Sequence, residues 1–131
     1  MLLARSDTLE IVCFEMEIVL DPGPIPYAQI ALAGDPDLEH GLRHYGVEPS
    51  TTTYRLIDIP VDAVSDARIM PYARWRPGAM VEAVDAGVEL PPLVVYRNRD
   101  RSWSLLDGVN RTHAYLFRRV ARTRAYELIE R

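Results

Sequence analysis

The stretch that decides the fold is residues 93–117, LVVYRNRDRSWSLLDGVNRTHAYLF. The apolar run at 93–96 predicts a buried strand, RNRDRS is typical of a hairpin turn, and residues 103–106 predict the returning strand. Apolar positions at helical spacing predict a helix over 109–120. The stretch therefore predicts a strand hairpin that turns through Asp107-Gly108 directly into a helix, with donor side chains crowded at the corner.

Elements on both sides of this stretch extend the pattern. Residues 54–59 alternate with a period of two and predict a strand, and residues 125–129 predict a closing strand. Between them, Pro77 can start a helix that Gly87 ends. Strands and helices mixed in this order predict an α+β fold.

The N-terminal part of the chain predicts shorter elements. Local patterns give a strand at 9–19, a turn at 21–26, a helix or a strand at 27–33, and a helix from Asp35-Pro36 to about Tyr45. The loop at 46–53 is the best candidate boundary in the chain. We therefore expect an N-terminal extension over residues 1–50, packed on a core domain over residues 51–131.

Length and composition indicate one domain with an ordinary core. The chain has 131 residues, 48% of them hydrophobic, and no apolar run approaches the roughly 20 residues that a membrane span needs. Charged residues interrupt the apolar N-terminal positions, which is not the pattern of a secretory signal. Cys13 is the single cysteine, so it cannot form an internal disulfide. We expect a cytoplasmic protein that does not associate with a membrane.

Charge is distributed unevenly along the chain. The net charge of −4 divides into −9 over residues 1–66 and +5 over residues 67–131. This balance argues against nucleic-acid binding by the chain alone. All 15 cations are arginines, so any phosphate contact is made by a planar guanidinium that can bind two oxygens.

The corner at 107–113 has the features of an anion site. Backbone N–H groups in the first turn of a helix lack intrahelical partners, and the helix dipole is positive there. Gly108 permits close approach to the backbone. The side-chain donors are Asn110, Arg111 and Thr112. The alternative is an ordinary helix start, in which Asp107 caps the helix and Arg111 is solvated, and the residues alone leave both interpretations open.

The order of elements and three segments together resemble the ParB/sulfiredoxin superfamily, which includes the N-terminal domain of ParB partition proteins, the sulfiredoxins and the free-serine kinases. The matching segments are YRLIDIPVDAV (54–64), AVDAGVELPPLVVY (83–96) and LLDGVNRTHAYL (105–116). Gly108, Arg111 and Ala114 fill the family signature of a glycine, a variable pair, an arginine and a helical alanine. The resemblance implies a ParB/sulfiredoxin-like fold, with a small mixed sheet and helices.

In that family the loop and helix N-terminus bind nucleotide phosphates: CTP in ParB, ATP in the sulfiredoxins and ADP in the serine kinases. The resemblance therefore implies a nucleotide site formed by Gly108, Val109, Asn110, Arg111, Thr112 and His113. The family's proline-rich segment matches residues 67–78, which implies that Arg74 and Arg76 contact a phosphate or the base. Two surface arginines beside a buried Trp75 are an equal alternative.

Departures from the family narrow the expected chemistry. Val109 stands where sulfiredoxins carry their catalytic cysteine, so sulfur chemistry is not expected. No helix-turn-helix segment follows the motif in this sequence, so DNA-clamp behaviour is not expected of this chain. The run from Asp107 to Arg111 is closest to the serine-kinase version of the motif.

Phosphoryl transfer would need further groups. Asp107 could help to hold Mg²⁺ or orient a hydroxyl, and Glu82 or Asp85 could supply a general base. A solvated helix face is the simpler interpretation of Glu82 and Asp85. His113 could also act as a base, but packing beside the site is favoured.

We therefore expect a nucleotide-binding domain whose ligand is ATP, ADP or CTP with Mg²⁺, and phosphoryl transfer or nucleotide hydrolysis stays open. One rival is a non-catalytic regulatory module that binds a protein partner or forms a homodimer. Another is a nucleic-acid-associated, ParB-like nuclease. His40 and His44 share a helical face, but without a third ligand they favour a solvated face, so no metal site is predicted.

Overall fold

The computed structural model describes residues 16–31, 36–66, 68–69 and 78–130, and in them it confirms the α+β class. The strands are β1 (Ile18–Pro26), β2 (Thr53–Pro60), β3 (Leu93–Arg97), β4 (Trp103–Asp107) and β5 (Arg122–Glu130). The helices are α1 (Tyr27–Ala31), α2 (Pro36–His44), α3 (Ala79–Asp85) and α4 (Val109–Phe117), with 3₁₀ turns at Pro49–Thr51 and Val61–Ala63. No helix in these ranges is long and apolar enough to cross a bilayer.

The strands form one mixed sheet in the order β1-β2-β5-β3-β4. Strands β3 and β4 pair antiparallel as the predicted hairpin, and β5 lies parallel to β3 on its other side. Helix α4 connects the end of β4 to the start of β5 and so carries the chain past β3, which lies between these two strands. Strands β2 and β1 continue the sheet antiparallel.

The sheet is buried on both faces around β3, which explains the continuous apolar run of that strand, whereas the edge strand β1 is largely exposed. Since side chains alternate along a strand, Val95 and Leu105 point to one core, while Val94 and Leu106 point to the other. Helices α3 and α4 cover the first face, with Val84, Tyr115 and Leu116 in contact with its core. Helices α1 and α2 cover the second face, through Ile30, Leu38 and Leu42.

The segment before residue 50 supplies both a helical layer and the edge strand β1. The turn predicted at 21–26 is wrong, because these residues belong to β1 and pair with β2 through irregular register. Gly23 has a positive φ of 74° and its backbone lies against the Tyr54 carbonyl, so the turn-forming residues make a bulge inside a strand. Within the segment at 27–33, for which the sequence predicts either a helix or a strand, Tyr27–Ala31 form the short helix α1.

Some expectations concern residues outside the described ranges. These are the first part, 9–15, of the strand predicted at 9–19, the cap at Asp35 and the helix start at Pro77. Ile18 and Val19 of that predicted strand belong to β1. The boundary near residue 50 stays a prediction.

The outer edge of β4 is covered by Val64, Ser65, Asp66 and Arg68. The Ser65 N–H donates to the Trp103 carbonyl at 2.8 Å. At Leu105, the backbone N–H donates to the Asp66 carboxylate at 3.1 Å, and the carbonyl accepts from Arg68 Nη2 at 2.6 Å. Burial raises the pKa of Asp66, but hydrogen bonds from Arg68 and Leu105 outweigh it and leave the pKa below its usual value. An aspartate–arginine pair therefore completes the edge where a further strand would otherwise bind.

Replacing Asp66 with alanine should destabilise the protein, because it removes the acceptor for the Leu105 N–H and the partner of Arg68. Loss of hydrogen bonds to a charged group costs about 1–3 kcal/mol. Urea denaturation should show a lower midpoint for Asp66→Ala. The control Asp62→Ala, at an exposed position of the preceding 3₁₀ turn, should change the midpoint little. Equal midpoints for the two variants would contradict this role.

Candidate functional site

The corner between β4 and α4 depends on Gly108. This residue is the N-cap of α4 and has φ 113° and ψ 25°, in the left-handed region that favours glycine. A Cβ at this position would lie 2.6 Å from Leu93 Cδ2 and 3.2 Å from Arg111 Nη2. The strand-to-helix corner predicted from Asp107-Gly108 is therefore confirmed. The positive φ and the lack of room for a Cβ both restrict position 108 to glycine.

Substitution Gly108→Ala should destabilise the protein more than Gly87→Ala. Gly87 has a similar positive φ of 75°, but a Cβ there would meet no atom within 4 Å. Both variants should carry backbone strain of about 1–3 kcal/mol, and only Gly108→Ala must also displace the buried Leu93 side chain. Thermal and urea denaturation of the pair measure this difference, and equal losses of stability would show that Leu93 does not constrain the corner.

A cleft of about 290 Å³ opens at this corner. Its lining comes from α2, the segment after Asp66, α3 and the corner itself: His40, Gly41, Arg68, Met80, Leu106, Asp107, Gly108, Val109, Asn110 and Arg111. Residues far apart in sequence thus converge on the start of α4. Concave sites with a few convergent polar groups are the usual form of small-molecule sites.

Helix α4 presents backbone donors to this cleft. The Thr112 N–H makes the first intrahelical hydrogen bond, to the Gly108 carbonyl at 2.9 Å. The N–H groups of Val109, Asn110 and Arg111 precede it, so the helix gives them no carbonyl acceptor. Together with the positive end of the helix dipole, these donors favour an anion.

Arg111 turns inward beneath the corner, so the alternative of a solvated Arg111 is wrong. Its residue is 7% exposed, and Nη2 lies 3.3 Å from Asp107 Oδ2 and 3.3 Å from the Pro92 carbonyl oxygen. Its Nε is buried without a hydrogen-bond partner. Such a buried donor costs free energy until an acceptor reaches it.

Thr112 and His113 support the corner from below and do not line the cleft. The Thr112 side chain is fully buried, and its hydroxyl donates to the Gly108 carbonyl at 2.9 Å. His113 is also buried, and burial lowers the pKa of its imidazole. The structure therefore does not bring the Thr112 and His113 side chains to the cleft, whereas Asn110 is exposed and lines it.

The two carboxylates considered as a general base lie away from the cleft. Glu82 and Asp85 are exposed on α3, whose contribution to the lining is Met80. Asp85 accepts a hydrogen bond from Arg118 Nη2 at 2.7 Å, which links α3 to the end of α4. Residues Arg74 and Arg76 lie outside the described ranges.

Arg68 and His40 are cleft residues that the sequence did not identify. Arg68 donates hydrogen bonds of 2.9 and 3.0 Å to the Asp66 carboxylate. The only indication of this in the sequence is that the two residues are two positions apart. His40 was considered only as a metal ligand with His44, which does not line the cleft. It reaches the cleft because Gly41 lets α2 approach the Leu106 carbonyl closely, which no local pattern indicates. Within the described ranges, no group of three or more His, Cys, Asp or Glu side chains could hold a metal ion.

Comparison of the chain with protein-family models, with curated proteins and with solved structures finds no match. The fold and the cleft therefore define the class of the protein: an α+β protein with a mixed sheet covered on both faces and a polar cleft at a strand-to-helix corner. The ParB/sulfiredoxin resemblance stays a prediction.

Burial of His113 predicts a loss of stability in mild acid. Because its folded-state pKa is below the unfolded value of about 6.5, the unfolded chain binds more protons as the pH falls below that value. The contribution of His113 is therefore complete above the unfolded pKa and is lost as the pH falls through the folded pKa. Urea denaturation from pH 8 to about pH 5 should show a flatter pH dependence for His113→Gln than for the wild type. The exposed control His44→Gln should keep the wild-type slope, and a parallel His113→Gln curve would refute the assignment.

Proposed function

We propose that the cleft binds a phosphate group of a nucleotide. The observation that carries the proposal is the buried Arg111 guanidinium, whose Nε lacks a partner in the wall of a cleft at a helix N-terminus. A phosphate oxygen accepts hydrogen bonds from guanidinium and from backbone N–H groups alike. The first-turn N–H groups of α4 and the Arg111 side chain converge on one anion from two directions.

The charges of the cleft suit a phosphate that carries a cation. Arg68 adds a second guanidinium, with its side chain 53% exposed and two of its nitrogens already bonded to Asp66. Asp107 places a carboxylate beside the same corner, which would repel a bare phosphate. Mg²⁺ bound to nucleotide phosphates is usually held by one or two protein carboxylates, and Asp107 fits that role. The cation would neutralise phosphate charge while Arg111 stays close to both groups.

A nucleotide is proposed instead of free phosphate because of the family resemblance. The segments at 54–64, 83–96 and 105–116 match a superfamily that binds CTP, ATP or ADP at this loop. In the structure these segments form β2 with the 3₁₀ turn after it, the end of α3 with β3, and the end of β4 with the corner and α4. Within the cleft lining the resemblance therefore covers residues 106–111, whereas His40, Gly41, Arg68 and Met80 lie outside the matching segments.

Nucleotide affinity should fall when Arg111 is removed. We expect calorimetric titration with ATP, ADP, CTP and GTP in the presence of Mg²⁺ to show binding of at least one of them to the wild type. Arg111→Ala should weaken it by about 10- to 100-fold, since a charge-assisted hydrogen bond contributes about 1.5–3 kcal/mol. The matched control is Arg118→Ala, which removes the same charge at the other end of α4, where the side chain is exposed.

Arg111→Ala also leaves Asp107 without its ion pair, so weaker binding by this variant could reflect a loss of folding. A second variant, at a side chain that is not buried, separates these two causes. Arg68→Gln removes charge from a half-exposed side chain and should weaken binding in the same direction. The proposal is wrong if no nucleotide binds below millimolar concentration, or if both variants bind as tightly as the wild type.

Catalysis is a separate question that the same protein can answer. Asp107 and His40 are the acid–base side chains that line the cleft among the described residues. Turnover can be followed by phosphorus NMR with ATP, ADP or CTP and hydroxyl acceptors. If the wild type turns over, we expect Glu82→Gln and Asp85→Asn to keep its rate and Asp107→Asn to lower it. Nucleotide binding without turnover would identify a non-catalytic, nucleotide-responsive module.

A further inference from the structure

A second cleft, of about 440 Å³, lies on the α2 face of the sheet. Its lining is mainly apolar and aromatic: Leu42, Tyr45, Val47, Tyr96, Arg97, Leu106, Leu128 and Ile129. Its volume falls in the range of about 300–1,000 Å³ that is typical of small-molecule sites.

The second cleft adjoins the phosphate cleft. Leu106 lines both of them, and α2 runs beside both, with His40 and Gly41 at the first and Leu42 at the second. Arg68 lines the phosphate cleft, and its charge also reaches the phenol groups of the second. The two clefts therefore share a wall residue and lie along the same helix, as binding of one elongated ligand would require.

Two tyrosines give the second cleft an aromatic surface. The rings of Tyr45 and Tyr96 pack edge to face, with centroids 6.1 Å apart and an interplanar angle of 68°. The neighbouring Tyr96 phenol and burial raise the pKa of Tyr45, and the Arg68 charge opposes them. Tyr45 is nevertheless 55% exposed, so much of its ring is open to a ligand.

We propose that Tyr45 and Tyr96 bind the base of the nucleotide whose phosphate occupies the first cleft. Planar bases stack on tyrosine rings, and the phenol groups supply a donor and an acceptor for polar base edges. Arg68 lines the phosphate cleft and its charge acts on both phenols, so it would contact the phosphate chain between the base and the start of α4. This inference rests on the proposed function and adds the subsite that distinguishes a nucleotide from a polyphosphate.

The test compares a ligand that has a base with one that lacks it. Calorimetry with ATP, CTP and inorganic tripolyphosphate, each with Mg²⁺, is carried out on the wild type, Tyr45→Leu, Tyr45→Phe and Tyr96→Leu. Leucine at either position should weaken nucleotide binding about 10-fold and leave tripolyphosphate binding unchanged. Tyr45→Phe keeps the ring and should bind nucleotide within about threefold of the wild type.

Controls separate stacking from a general loss of structure. Tyr126→Leu changes a tyrosine of the same face that does not line the cleft, and it should bind both ligands as the wild type does. Because Tyr45 is exposed, Tyr45→Leu should keep the wild-type denaturation midpoint.

Each failure has its own signature. If tripolyphosphate binds and the leucine variants keep full nucleotide affinity, the base subsite is wrong while the phosphate cleft stands. Equal losses for nucleotide and tripolyphosphate would also overturn the subsite, because the tyrosines would then act on the corner itself. If neither ligand binds to the wild type, the phosphate cleft and the base subsite both fall.

Discussion

The left-handed backbone at Gly108 is the constraint on which the rest of the site depends. It lets β4 end at Asp107 and α4 begin at Val109, with a single residue between them. That tight turn aims the first N–H groups of α4 into the cleft. It also places Arg111 one helical turn after Asp107, where the two side chains pair at 3.3 Å. The position of the first turn of α4 and of the Asp107–Arg111 pair therefore follows from one backbone conformation.

The remaining walls come from long-range packing. Helix α2 covers the second face of the sheet and approaches β4 closely at Gly41, which places His40 at the cleft and Tyr45 beside Tyr96. On the open edge of β4, Asp66 and Arg68 replace a missing strand with side-chain hydrogen bonds. The same interactions that complete the sheet thus bring a second guanidinium to the site.

Local patterns predicted the elements from 93 to 117 because a hairpin and its following helix are defined by neighbours in sequence. The bulged strand at 21–26 was missed because its proline and glycine residues are typical of turns, and its pairing with β2 is visible only in three dimensions. The sequence predicted Arg111 as a donor at the start of α4. Its spacing of four from Asp107 also indicates an ion pair along the helix. His40 carried no local signal and Arg68 only its spacing of two from Asp66, since tertiary packing brings both residues to the corner.

The most direct measurement is an NMR titration of ¹⁵N-labelled protein with Mg²⁺–nucleotide. It observes the backbone amides of Val109, Asn110 and Arg111 and the Arg111 Nε–H. If phosphate binds at the start of α4, these signals should show the largest saturable chemical-shift changes, because their hydrogens gain a phosphate acceptor. If the signals stay unchanged, or if the largest shifts cluster at residues remote from both clefts, the assignment of phosphate binding to this corner is contradicted.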